Sequence, residues 1–156
     1  RLADEVAACA VERGGVDPTR IHSLGFSAGA LFTARLAFAR ARYIASVVTY
    51  SGGLLENAPP PASQNPRNKF AALALSGGPR DNVFNTDFDV ASRALQAKLT
   101  GDGHFALYCD HGGGHRIPTD YRRAAGKFLL DHPFGTTPSP YEGALPSELK
   151  ACSAAP

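Results

Sequence analysis

The stretch "SLGFSAGALF", residues 23–32, decides how the chain is read. Gly25 and Gly29 each stand two positions from Ser27, with apolar residues outside them. The run "IHSLG", 21–25, suits a buried strand. The run "ALFTARLAFARAR", 30–42, suits a helix with Leu31, Ala34, Phe38 and Ala41 on one side. Between them the chain must reverse within a few residues. A serine on so tight a strand-to-helix turn sits in a strained backbone conformation, and its neighbours two positions away must lack side chains to clear the strand and helix. The turn lifts the hydroxyl above the carboxyl edge of a sheet, where ligands bind in open α/β sheets. The amide of Ala28, at the start of the helix, is the candidate donor to a developing oxyanion. We therefore read Gly25–Gly29 as a nucleophile elbow bearing Ser27. A glycine-rich structural bend is the competing reading.

Outward from this turn, strands and helices alternate. Residues 1–13 place Leu2, Val6, Cys9 and Ala10 on one helical face, and Gly14–Gly15 closes the helix. "VDPTR", 16–20, is a turn. "YIASVVTYS", 43–51, and "FAALALS", 70–76, are apolar strands, and residues 52–68 between them read as a long exposed loop. Leu54, Leu55 and Pro59–Pro61 are candidates to line a pocket from that loop. "TDFDVASRALQAKLT", 86–100, is amphipathic, with Phe88, Ala91, Leu95 and Leu99 in line. "HFALYCD", 104–110, is a fourth strand, and "TDYRRAAGKFLLDH", 119–132, a closing helix with Tyr121, Ala124, Ala125 and Phe128 inward. The order is that of an α/β fold, a mostly parallel sheet covered by helices on both faces. Residues 1–135 read as one domain, and 136–156 as a Pro/Ser-rich tail packing on it or trailing from it. Four strands leave an unpaired edge. We therefore expect that the N-terminal part of the same domain lies ahead of Arg1, and that this stretch alone is poorly active.

A serine needs a base. Of five histidines, His111 and His115 bracket "GGG" after the last strand, on the same sheet edge as Ser27. A glycine-rich loop lets an imidazole reach the serine; we take His115 first and His111 second. Two histidines at that spacing suit a metal only on a helix, which three glycines oppose, so no metal is expected. The orienting carboxylate is sought between serine and histidine, among Glu56, Asp81, Asp87, Asp89 and Asp102. Asp81 follows the strand "FAALALS" in the loop "GGPRDN", again at a carboxyl edge, and we take it first. Asp87, the runner-up, and Asp89 stand at a helix start, where acids serve as caps.

The bulk numbers exclude other classes. The net charge is +2 and the arginines are scattered, with no basic run interleaved with aromatics, so nucleic acid is not an expected partner. No stretch approaches the ~20 apolar residues of a membrane span. Cys9, Cys109 and Cys152 form no CxxC pair. They allow three reduced thiols or one disulfide with a free thiol, and Cys152 in the tail is easier to explain as a staple in an oxidising compartment.

Together "VDPTRIHSLGFSAGA", "GGPRDNVF" and "HGGGHRIP" resemble the polyhydroxybutyrate depolymerase and feruloyl esterase group of α/β-hydrolases, over roughly residues 1–135. The resemblance implies the α/β-hydrolase fold, of which this chain would be the C-terminal part. It implies hydrolysis of a small or polymeric ester through an acyl-enzyme, with Ser27 as nucleophile, His115 as base, Asp81 as orienter and no cofactor. It also implies export to an extracellular or periplasmic space. The chain departs from the group's pattern at Ser76–Gly77, where a histidine is common before the first glycine of the acid loop, and at Arg116, where an aromatic is common. Serine peptidases of the prolyl-oligopeptidase type share the elbow and the order of the three residues. A non-catalytic binding protein on the same scaffold is the third class.

Overall fold

The computed structural model describes residues 1–154. Four parallel strands form the sheet: β1 (Ser23–Phe26), β2 (Ser46–Tyr50), β3 (Ala71–Ser76) and β6 (Ala106–Asp110). A two-strand hairpin, β4 (Asn82–Val83) and β5 (Thr86–Asp87), stands apart from it. A fifth sheet strand, β7 (Ser153–Ala154), runs antiparallel to β6, giving the order β1-β2-β3-β6-β7. The helices are α1 (Leu2–Gly14), α2 (Ala28–Ala39), α3 (Phe88–Gly101) and α4 (Arg122–Asp131).

Alternation along the strands divides the core into two layers. Val47, Ala72 and Ala106 face α2 and α3, against Ala34, Ala37, Phe38, Leu95 and Leu99. Val48, Leu73, Leu75, Leu107 and Cys109 face α4 and the tail, against Ala124, Ala125, Phe128, Tyr141 and Leu149. Every residue of β2 and β3 is buried, which is why these strands read as unbroken apolar runs. The inward face expected of α3 is observed, and in α4 Ala124, Ala125 and Phe128 point inward as expected, whereas Tyr121 lies in the 3-10 turn ahead of α4 and is only half-buried against the core.

The structure adds detail to three of these readings and overturns one of them, the exposed loop after β2. The apolar stripe of α1 is not in the core: α1 has no buried residue, and Leu2 and Val6 are 75% and 60% exposed. The stripe borders a hollow of about 530 Å³ along the edge of β1, with Ile21, Phe32, Leu36 and Tyr43 on its other side, so among the described residues no element packs down upon Leu2 and Val6. The loop after β2 does not begin as an exposed segment. Leu54 is buried between the helices of the first layer rather than lining a pocket, with its N–H on the Ala91 carbonyl at 3.0 Å. Its close packing requires Gly53, where a Cβ would lie 2.0 Å from that same carbonyl oxygen. Finally, residues after Pro133 supply core. Tyr141 and Leu149 are buried, β7 closes the far edge of the sheet, and Cys152 forms a disulfide with Cys109 of β6. Cys9 is free and exposed on α1.

Two buried histidines hold this end of the molecule together. His132 Nδ1–H donates to the Phe128 carbonyl at 2.8 Å, and its Nε2 meets Ser139 Oγ at 2.7 Å, inside a box of Phe105, Phe128 and Tyr141. His104 Nδ1–H donates to the Phe70 carbonyl at 3.0 Å. Burial holds both imidazoles below the ordinary histidine range. Below pH ~6.5 the unfolded chain therefore binds protons that the folded chain refuses. Stability contributed by these groups is complete above that pH and lost as pH falls. Urea midpoints are expected to drop between pH 7 and pH 5, and a flat profile would count against the assignment. The disulfide closes a span of 43 residues. Cys152→Ser is expected to cost about 2–4 kcal/mol in urea unfolding and to open the tail to proteolysis.

Candidate active site

The row Phe26, Tyr50, Leu75, Cys109 crosses the four parallel strands in register. Just past it the loops begin, and three further hydrogen bonds fix where they start. Ser27 N–H donates to the Tyr50 carbonyl at 3.0 Å, Ser51 N–H to Leu75 at 2.8 Å, and His111 N–H to Ser76 at 2.9 Å. Ser27, the acid loop and the histidine loop thus leave the sheet from one edge.

Ser27 has φ 55° and ψ −124°, a conformation rare for a residue with a side chain. Its carbonyl already accepts the first helical bonds, from Ala30 N–H at 2.9 Å and Leu31 N–H at 3.0 Å. Ala28 opens α2, so its N–H is among the first-turn donors without an intrahelical acceptor. The two elbow glycines are not equivalent. A Cβ on Gly25 would stand 2.3 Å from the Gly29 carbonyl oxygen, so the strand passes against the helix only because residue 25 lacks one. A Cβ on Gly29 would meet nothing within 4 Å. The expected requirement at both positions holds for Gly25 alone, because the close approach is from the Gly25 α-carbon to the Gly29 backbone.

His115 Nε2 lies 2.9 Å from Ser27 Oγ, and His115 Nδ1 lies 2.7 Å from Asp81 Oδ1. The carboxylate can only accept, so Nδ1 carries the proton and Nε2 is free to accept from the serine hydroxyl. Asp81 is fully buried, and its second oxygen accepts from Gly77 N–H at 2.8 Å. The acid and histidine loops interlock through backbone. Gly114 N–H donates to the Gly77 carbonyl at 3.1 Å, and a Cβ on Gly77 would lie 2.1 Å from the Gly114 carbonyl oxygen. Arg80 adds a bond from its guanidinium to the Gly112 carbonyl.

The runners-up lie elsewhere in the arrangement. Asp87 caps α3, accepting from Val90 N–H at 3.0 Å. His111 Nδ1 accepts from Gly113 N–H at 3.2 Å, and burial pushes its imidazole below the usual range. Two residues that the sequence did not single out for the site are Phe26 and Phe88. Their rings flank the His115 imidazole, with centroids 4.8 and 4.6 Å away. Phe26 stands inside the quoted elbow and Phe88 heads the helix that follows Asp81, so their positions were the available signal. Among the described residues no group of three or more His, Cys, Asp or Glu side chains is placed to hold a metal ion. Among the described residues no helix is long and apolar enough to cross a membrane.

A mostly parallel sheet between two helical layers, with a serine on the turn from strand to helix, is the α/β-hydrolase fold, and the chain has it. Solved structures of that fold superpose on it. A variant of pOPH in complex with pNPB matches with a TM-score of 0.76 at 16% identity, over 96% of this chain and 58% of that one. Native pOPH gives 0.69 at 18% identity, over 88% and 52%. The Bacillus cereus carboxylesterase gives 0.64 at 16% identity, over 82% and 57%. The chain thus spans a little over half the length of these structures. No family profile and no curated protein matches the sequence.

The glycine asymmetry is directly testable. Gly25→Ala is expected to destabilise the fold by several kcal/mol or abolish it, as a forced backbone clash does, whereas Gly29→Ala should shift the thermal midpoint by less than about 2 °C. Equal losses from both would contradict the geometry.

Proposed function

We propose that the protein is a serine carboxylic-ester hydrolase. One observation carries the reading: the unbroken relay from Ser27 Oγ through His115 to buried Asp81, built on a positive-φ serine at a helix start. Ser27 attacks the ester carbonyl as its proton passes to His115 Nε2. Asp81 keeps the proton on Nδ1 and stabilises the imidazolium that forms. Ala28 N–H faces the developing oxyanion. His115 returns the proton to the leaving alkoxide, and water releases the acid by the same steps in reverse. The carboxylesterase among the structural neighbours supports an ester as the substrate.

The finer reading rests on the sequence resemblance: a polyester of hydroxyalkanoate units, or a feruloyl-type ester. The Cys109–Cys152 bond supports an extracellular or periplasmic location.

A fluorophosphonate probe is expected to label Ser27 in the full chain. Ser27→Ala should abolish labelling, and His115→Ala should slow it by at least about 10³-fold. A folded full chain that never labels would overturn the proposal. Hydrolysis of p-nitrophenyl acetate, methyl ferulate and hydroxybutyrate oligomers, with no action on a peptide amide, is expected of an esterase. Cleavage of the amide alone would assign a peptidase instead.

A further inference from the structure

Asp81 orients His115, but the loop that carries Asp81 must itself be held. The sequence "SGGPRD", 76–81, contains two glycines, and Gly78 sits at φ 72°. Such a segment has little conformational preference of its own. Its shape is set from outside by a polar cluster that runs from buried Ser76 and Tyr108 through half-buried Asp89 to exposed Arg93. Ser76, at the end of β3, is fully buried. Its Oγ accepts from Gly78 N–H at 3.0 Å and donates to Asp89 Oδ1 at 2.7 Å. Asp89 also accepts from the hydroxyl of buried Tyr108 on β6, and from Arg93 Nε at 3.1 Å. The Arg93 guanidinium lies 4.1 Å over the Tyr108 ring. Burial opposes ionisation of Asp89, but the bonds from Tyr108, Ser76 and Arg93 outweigh it and hold the carboxyl below its ordinary range.

The geometry of this cluster bears on the relay at two points. Fixing Gly78 through Ser76 fixes the preceding peptide, and Gly77 N–H is the group that holds Asp81 Oδ2 and leaves Oδ1 to His115. The residue next to Asp89 is Phe88, whose N–H donates to the Asp81 carbonyl at 2.9 Å and whose ring flanks the imidazole. We infer that Asp89, acting through Ser76 with Tyr108 as its second anchor, is the positioning residue that aims Asp81 at His115. The inference rests on the Ser27–His115–Asp81 reading above and adds the group that keeps it aligned. Asp89 thus has a role distinct from Asp87, whose carboxylate is taken up in capping α3.

The test compares Asp89→Asn, Ser76→Ala and Tyr108→Phe with Asp81→Asn in the full chain. One readout is the pH profile of Ser27 labelling by a fluorophosphonate. The other is the downfield NMR resonance of the His115 Nδ1 proton. Asp89→Asn and Ser76→Ala are each expected to lower the plateau labelling rate by about 10-fold or more, the scale at which small misplacements of a catalytic group are felt. A looser carboxylate stabilises the imidazolium less, so the midpoint of the profile should move to lower pH, and the Nδ1 resonance should broaden or move upfield. The double variant should lose little more than either single one, because the two act in series. Asp131→Asn is the structural control. Asp131 makes a similar pair of bonds, with Tyr141 OH at 2.7 Å and Lys127 at 2.5 Å, but at the end of α4. It should leave rate, midpoint and resonance unchanged. If Asp81→Asn slows labelling while the Ser76 and Asp89 variants keep the native rate, midpoint and resonance, the positioning role is overturned and the relay stands. If Asp81→Asn itself has no effect, the relay reading fails. Should Asp89→Asn not fold, Ser76→Ala and Tyr108→Phe decide by the same readouts.

Discussion

The register of four parallel strands is the constraint on which the rest of the molecule depends. Phe26, Tyr50, Leu75 and Cys109 lie in one row, and beyond that row the ladder continues for one more hydrogen bond at each loop entry. A parallel ladder tolerates no independent sliding of its members when both faces are buried, because a one-residue slip would send apolar side chains to the wrong layer. The starting points of the serine turn, the acid loop and the histidine loop are therefore fixed relative to one another before any side chain of the site is considered.

What the ladder leaves open, backbone contacts between loops close. Gly77 lies against Gly114, and Gly25 against Gly29, at distances no side chain would permit. Within this frame Asp81 is wholly removed from water, a position that would cost several kcal/mol for an unpaired carboxylate. Gly77 N–H and His115 Nδ1–H offset that cost, so the contacts that make the carboxylate tolerable also point it at the imidazole. Stability and alignment are one set of interactions here. The rings of Phe26 and Phe88 both pack against the imidazole, and its Nε2 meets Ser27 Oγ.

The two edges of the sheet are treated differently. At the β6 edge the tail returns as β7, the Cys109–Cys152 bond anchors it, and Gln96 donates to the Ser153 carbonyl at 2.7 Å. At the β1 edge Leu24 is 54% exposed and Phe32 62%, beside the apolar stripe of α1. Unpaired strand edges flanked by apolar surface are poorly tolerated in water. The α1 helix is tied by polar bonds to the segment that follows α2, Asp4 accepting from Arg40 Nε and from Tyr43 OH at 3.0 Å.

Much of this was legible in the chain itself. The alternation of apolar runs with helical periodicity determined an α/β sheet, because strands buried on both faces and amphipathic helices leave different, local signatures. A strand pattern running through Gly25 into Ser27 and then a helix pattern determined a strand-to-helix turn, since a side chain at residue 25 would not clear the helix. The position of Ser27, Asp81 and His115, each in the loop that follows a parallel strand, placed all three at one edge. Tertiary structure alone decided the remainder, because it depends on which surfaces meet. It decided that Gly25 but not Gly29 needs to be bare, that the α1 stripe lies uncovered, and that Leu54 is core. It decided that a Pro- and Ser-rich tail with few apolar residues supplies a strand and a disulfide. It decided, too, that Asp89 faces Ser76 across the acid loop. Each of these turns on a contact between residues distant in sequence, set by the twist and register of the sheet, and no local periodicity encodes it.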